Sequence, residues 1–132
     1  MGMVQQADGM DVAIFYPDDR LLSDLSEWFY RNPRFHLQVV LSRQMSVMRS
    51  IAAQATFSVI NATQCLDSAI NALGVALECA PCERILLYTE RMHDGLELFV
   101  RCRGVLMLLG PASQIEWEAA LRAAKRPIHV AV

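Results

Sequence analysis

The sequence predicts an α/β fold: a doubly wound (βα)5 arrangement with one five-stranded parallel sheet between two layers of helices. Three observations carry this expectation. Five short apolar runs rich in strand formers alternate with five stretches whose apolar residues recur at helical spacing. The runs are continuously apolar, as strands buried on both faces must be. Strands and helices that alternate this way imply right-handed crossovers and a parallel sheet.

The elements follow in order. Asp11 to Tyr16 is the first strand, broken by Pro17-Asp18-Asp19. Leu21, Leu22, Leu25, Trp28 and Phe29 then align on a helix to about Tyr30. Asn32-Pro33 ends it, because proline disfavours helical geometry in the residue before it. His36 to Leu41 is the second strand. Ser42 is a candidate N-cap for a helix over Gln44 to Gln54, with Met45, Met48, Ile51 and Ala52 on one face. Phe57 to Ile60 is the third strand, and the residue at its end is Asn61. Cys65 to Glu78 is the third helix, punctuated by Pro81. Arg84 to Tyr88 is the fourth strand, closed by Thr89. His93 to Arg101 is the fourth helix, with Leu96, Phe99 and Val100 inward. Val105 to Leu109 is the fifth strand, and Gly110-Pro111 breaks it. Ser113 caps a last helix to about Lys125, and Pro127 stops it.

The chain of 132 residues is expected to form one domain over residues 11–126, after a disordered leader (1–10) and before a tail or linker (127–132). Hydrophobic residues make up 54% and charged residues 20%, a balance that favours a compact core over disorder. The net charge of −2 gives no basic field for nucleic acid, and Lys125 is the one lysine among 12 basic residues. No apolar run reaches the ~20 residues that span a bilayer. Met1 to Gly9 lacks the basic flank and apolar stretch of a secretory signal. Four cysteines without such a signal point to reduced thiols in a cytoplasm.

In a sheet of this kind the functional crevice lies beyond the carboxyl ends of the strands. That singles out Tyr16 to Asp19, Asn61 to Thr63, Thr89 to Arg91 and Gly110-Pro111. On this layout the stretch from about Asp11 to Arg126 resembles the receiver domain of bacterial response regulators, a flavodoxin-like (βα)5 fold. In that family two acidic residues closing strand one hold Mg²⁺, and those positions fall on Tyr16 and Pro17. A slipped alignment would move the pair to Asp18 and Asp19. The phosphoacceptor aspartate is matched by Asn61, the strand-four hydroxyl by Thr89, and the strand-five lysine by Gly110 before the retained Pro111. The aromatic switch position of strand five is matched by Met107.

Phosphoryl transfer to a carboxylate needs a nucleophilic oxygen, a divalent cation and a positive side chain on the phosphoryl oxygens. An amide at Asn61 is a poor nucleophile, and Mg²⁺ prefers carboxylate oxygens. The resemblance therefore implies the atypical, or pseudo-receiver, subgroup: not an enzyme, with no cofactor and no metal. It would transmit signals through protein contacts, as a homodimer or with another signalling protein, and without direct binding of nucleic acid or membrane. Its contact face is expected over Met92 to Arg126, with Leu96, Phe99, Trp117 and Leu121 as interface candidates. The resemblance also allows a role as the N-terminal domain of a transcription regulator.

Three rival readings stand beside it. The crevice could sense a small ligand through Asn61, Thr89 and Asp18, although no glycine-rich phosphate loop supports this. The slipped acidic pair would restore an active receiver. A flavodoxin-like enzyme would need a nucleophile–base pair, and none can be named. Locally, Asn61 also suits a turn cap and Thr89 a strand-end hydroxyl, while Asp18 and Asp19 suit a helix N-terminus. Cys79-Ala80-Pro81-Cys82 has redox spacing, but it ends a helix where a redox pair opens one, and it lacks a second pair for zinc. His36 and His93 are read as surface or cap residues, and Met45, Met48 and Met92 as core filler or adaptable surface. Trp117 is a contact anchor if exposed and ordinary core if buried.

Overall fold

A computed structural model describes residues 10–91 and 93–125. Residues 1–9 of the expected leader, the tail over 127–132 and Met92 lie outside the described residues, while Met10, expected in the leader, opens the first strand. Five strands alternate with five helices: β1 (Met10–Phe15), α1 (Asp19–Arg31), β2 (Phe35–Val40), α2 (Met45–Gln54), β3 (Phe57–Asn61), α3 (Leu66–Cys79), β4 (Ile85–Thr89), α4 (Leu96–Cys102), β5 (Leu106–Leu109) and α5 (Gln114–Lys125). The strands form one sheet in the order β2-β1-β3-β4-β5, every pair parallel. The fold class read from the sequence is the one observed.

Side chains alternate across the sheet, and each face has its own core. Ala13, Phe15, Ile60, Ile85 and Leu87 meet α2, α3 and α4 through Met48, Ala52, Leu73, Val75 and Val100. Val12, Ile14, Val59, Leu86 and Tyr88 meet α1 and α5 through Leu21, Leu25, Trp28, Trp117 and Leu121. β3 and β4 are buried along their whole lengths, as central strands of a two-sided sheet should be.

Several boundaries move. β2 begins at Phe35 and stops at Val40, so Leu41 is exposed. Gln44, rather than Ser42, is the N-cap of α2; the Ser42 hydroxyl accepts from the Gln44 N–H at 3.1 Å and shapes the approach instead. α4 starts at Leu96 and not at His93, because Gly95 takes a left-handed conformation (φ 80°) at its N-cap. Ser113 does cap α5: its hydroxyl accepts from Glu116 N–H at 3.2 Å, while the Glu116 carboxylate accepts from Ser113 N–H at 2.8 Å.

The expected contact side chains need the largest correction. Trp117 and Leu121 are 0% exposed and Leu96 is also buried, so these three are core and not interface. Phe99 is half-buried, with Arg103 stacked over its ring at 4.5 Å. α5 is rotated so that Trp117, Ala120 and Leu121 face the sheet, which leaves Ile115 81% exposed.

Candidate functional site

The residues singled out by strand position do converge at the carboxyl ends of the strands. The strand order reverses between β1 and β3, the switch point where such folds place their sites. Tyr16 closes β1 with φ 60°, a left-handed conformation that costs a non-glycine residue on the order of 1 kcal/mol. Five contacts hold it there. Its N–H donates to Val40 C=O at 3.0 Å, and its C=O accepts from Asn61 Nδ2 at 3.1 Å. Its hydroxyl donates to Ser42 C=O at 3.0 Å and lies 3.1 Å from Met48 Sδ. The Arg43 guanidinium sits over the ring at 5.4 Å. Burial pushes the Tyr16 phenol up, against the opposing pull of Arg43.

Asn61 is 2% exposed, and both ends of its amide are used. Nδ2 ties β3 to β1 through Tyr16, and Oδ1 accepts from Thr63 N–H at 3.1 Å. It is thus a bridge between strand ends as well as a turn cap. Thr89 is fully buried; its hydroxyl donates to Arg91 C=O at 2.8 Å and accepts from Arg91 N–H at 3.2 Å. Asp18 is the N-cap of α1 and accepts from Leu21 N–H at 2.8 Å. Asp19 is exposed in the first turn. His93 Nε2 lies 3.3 Å from Ala62 C=O, a contact that pins the loop before α4.

This donor set does not fit Mg²⁺. Tyr16 and Pro17, the residues matched to the acidic pair in the sequence, offer no carboxylate, Asn61 is neutral and already bonded, and one oxygen of Asp18 caps a helix. Among the described residues no group of three histidine, cysteine or acidic side chains is placed to hold a metal ion. Asn61, Thr89 and one carboxylate oxygen of Asp18 are turned onto nearby backbone.

The space at Gly110 is filled by a residue that sequence reasoning passed over. A Cβ on Gly110 would lie 2.2 Å from Tyr88 Oη and 2.5 Å from Cζ. Tyr88 comes from β4, stacks on Trp117 with centroids 5.2 Å apart, and donates its hydroxyl to Glu90 Oε2 at 2.7 Å. Glu90 Oε1 in turn pairs with Arg20 at 2.8 Å, and Glu90 N–H donates to the Thr63 hydroxyl. Burial, followed by the Glu90 hydrogen bond, drives the Tyr88 phenol well above its ordinary value. Tyrosine beside Thr89, opposite glycine in the lysine position, was the available signal: a large residue facing a missing one.

The remaining candidates are peripheral. Met107 is half-buried against the α4 layer. The four cysteines are free thiols; Cys79 Sγ contacts Arg49 C=O at 3.7 Å and Cys82 the Glu83 carboxylate. Cys65, the exposed N-cap of α3, lies 3.2 Å from Ser68 Oγ, and hydrogen bonding by Ser68 holds its thiol below the usual value. Beside β5 and α5 lies an open apolar cavity of about 350 Å³, lined by Leu106, Met107, Leu108, Glu116, Ala119 and Ala120. Among the described residues no helix is long and apolar enough to cross a membrane.

No protein-family model matches the chain, and no curated protein does. Solved structures do. A pilus assembly-related protein from Burkholderia pseudomallei is 17% identical with a TM-score of 0.68, over 94% of this chain and 95% of that one. The ChxR receiver domain from Chlamydia trachomatis is 9% identical with a TM-score of 0.54, over 87% and 97%. The receiver domain of the sensor histidine kinase PA1611 from Pseudomonas aeruginosa, with a magnesium ion coordinated in its active site cleft, is 12% identical with a TM-score of 0.56, over 89% and 99%. The fold of the present chain is receiver-like.

Proposed function

We propose that this receiver-like domain works as a phosphorylation-independent contact module, a pseudo-receiver. One observation carries the reading: the Tyr88 ring fills the space at Gly110 and donates its hydroxyl to Glu90, whose other carboxylate oxygen pairs with Arg20. A phosphoryl group there would need a cation on its oxygens and a nucleophilic oxygen at position 61. It would meet a phenol, an amide and a carboxylate whose partner cation, Arg20, is already paired. Incubation with acetyl phosphate and Mg²⁺ followed by intact mass measurement tests this. The expected outcome is an unchanged mass; a stoichiometric phosphoryl adduct overturns the reading.

Its partners are then proteins, met on the helix-four, strand-five, helix-five side, where exposed apolar groups remain. With Leu96, Trp117 and Leu121 inside, the available groups are Leu98, Leu106 and Leu109. A second reading concerns the pathway. The pilus assembly-related protein superposes with a TM-score of 0.68, against 0.54 and 0.56 for the receivers. That favours a docking role in pilus assembly over one in transcription. Deletion of the domain in its host, scored for piliation and for transcript levels, separates the two: lost pili with unaltered transcripts supports the former.

A further inference from the structure

β5 is an unshielded edge strand. Protein edges are commonly protected by charge, proline or a bulge. β5 is Leu106-Met107-Leu108-Leu109 and carries none of these within its length. The opposite edge, β2, interleaves exposed His36 and Gln38 with buried Phe35 and Val40. Leu106 and Leu109 are 47% and 50% exposed, although both belong to the sheet.

The hydrogen-bonding parity of the free edge follows from its two ends. Gly110 N–H donates to Thr89 C=O at 2.8 Å, toward β4. Backbone groups alternate sides along a strand, so Leu106 and Leu108 also turn to β4 while Met107 and Leu109 turn outward. The next odd positions close the edge at both ends. Val105 N–H is already given to Val100 C=O at 3.2 Å, and Pro111 has no N–H. The open donors and acceptors are therefore those of Met107 and Leu109, placed symmetrically about Leu108.

We propose that β5 pairs antiparallel with β5 of a second copy about a two-fold axis at Leu108, joining two sheets into one. This deepens the contact-module reading and rests on it. In this register Met107 and Leu109 exchange about four hydrogen bonds with their counterparts. A slip of two residues toward either end would spend an open group on Val105 or Pro111. Side chains match as well. Leu108 meets its own copy, Met107 meets Leu109, and Leu106 lies across from the side-chain-free Gly110. No charge on the strand opposes a like charge, and the apolar cavity over Ala119 and Ala120 flanks the seam. An unrelated strand could use the same two residues, but only a second copy matches the symmetric set from both sides. A stable interface buries roughly 800 Å² per partner. Four residues supply part of that, and α4 and α5 beside the strand, with exposed Leu98 and Ala119, supply the rest.

Hydrogen exchange by NMR on the intact chain at two concentrations, with light scattering on the same samples, tests the pairing. The expected result is a dimer at the higher concentration, with Met107 and Leu109 amides exchanging at least about tenfold more slowly than in the diluted monomer. Met107→Pro removes one outward N–H and leaves the β4 ladder intact, so it should give a folded monomer by circular dichroism. A dimer whose Met107 and Leu109 amides exchange freely overturns the proposal. So does a monomer at every concentration, which would hand the edge to another partner. The phosphoryl-adduct assay reads the contact-module function separately: an unchanged mass leaves that function standing even when the β5 pairing fails.

Discussion

Substituting Gly110 by alanine tests whether Tyr88 truly fills the site. The new Cβ would lie 2.2 Å from Tyr88 Oη, 2.5 Å from Cζ and 2.6 Å from Cε1, far inside contact distance. An exposed phenol would swing aside at little cost. This ring is fully buried, stacked on Trp117 and bonded to Glu90, so it moves only by opening the α5 side of the core. Overpacking of this kind costs about 1–3 kcal/mol. Loss of a hydrogen bond to a charged group adds about 1.5–3 kcal/mol if the phenol cannot find its partner again. The two overlap, and we expect about 3 kcal/mol for Gly110→Ala. With an unfolding entropy of about 2.1 cal/mol/K per residue, that lowers the Tm of a chain this size by roughly 10 °C. Urea unfolding followed by far-ultraviolet circular dichroism measures it. Tyr88→Leu removes the three clashing atoms, so Gly110→Ala made in that background should cost under about 0.5 kcal/mol beyond the single change. An unchanged midpoint for Gly110→Ala alone, or an equal cost in both backgrounds, refutes the reasoning.

Two further outcomes follow from the same network. Asn61→Asp places a carboxylate oxygen 3.1 Å from the Tyr16 carbonyl in place of a donor, and should cost about 2–4 kcal/mol at neutral pH. Burial raises the pKa of such a carboxyl, so the penalty is full above that raised value and fades toward pH 4. Equal destabilisation at pH 7 and pH 4.5 would count against it. Tyr88 has a folded pKa above its unfolded one, so the stability it contributes is complete below about pH 10 and is lost as pH rises further. Wild-type stability should fall there by up to about 1.4 kcal/mol per pH unit, a slope that Tyr88→Phe reduces. Tyr16, also raised by burial, leaves a residual slope in the variant.

The order and type of the elements were legible because each carried a local signal. Continuous apolar runs marked buried strands, Pro17 and Gly110-Pro111 marked strand ends, and Asn32-Pro33 marked the end of the first helix. Asp18 was readable as a carboxylate suited to a helix N-terminus, and the structure makes it the N-cap of α1. The phase of α5 was not legible. Ile115, Trp117, Ala119, Ala120 and Leu121 offer apolar residues on more than one side, so several rotations bury comparable surface. The observed rotation is set by remote contacts, the stack of Trp117 on Tyr88 and the 2.9 Å bond from Trp28 Nε1 to Glu118. The missing carboxylate at Asn61 was visible, and so were its neighbours as residue types. What replaced the pocket was not, since Tyr88, Glu90, Arg20 and Gly110 come from three separate parts of the chain.

Both tryptophans lie on one side of the sheet, and this makes their light one-sided. Trp28 packs edge-on against Phe29 and Phe35, Trp117 stacks on Tyr88, and both belong to the α1/α5 layer. The α2/α3/α4 layer holds no indole. Emission spectra therefore report the half of the molecule that carries the Tyr88 stack, while helix content averages over both halves. If the two signals lose structure at one urea concentration, the sheet couples its layers into one cooperative unit. If emission shifts first, the α1/α5 layer can loosen while the other stays packed, and the domain contains two foldons back to back.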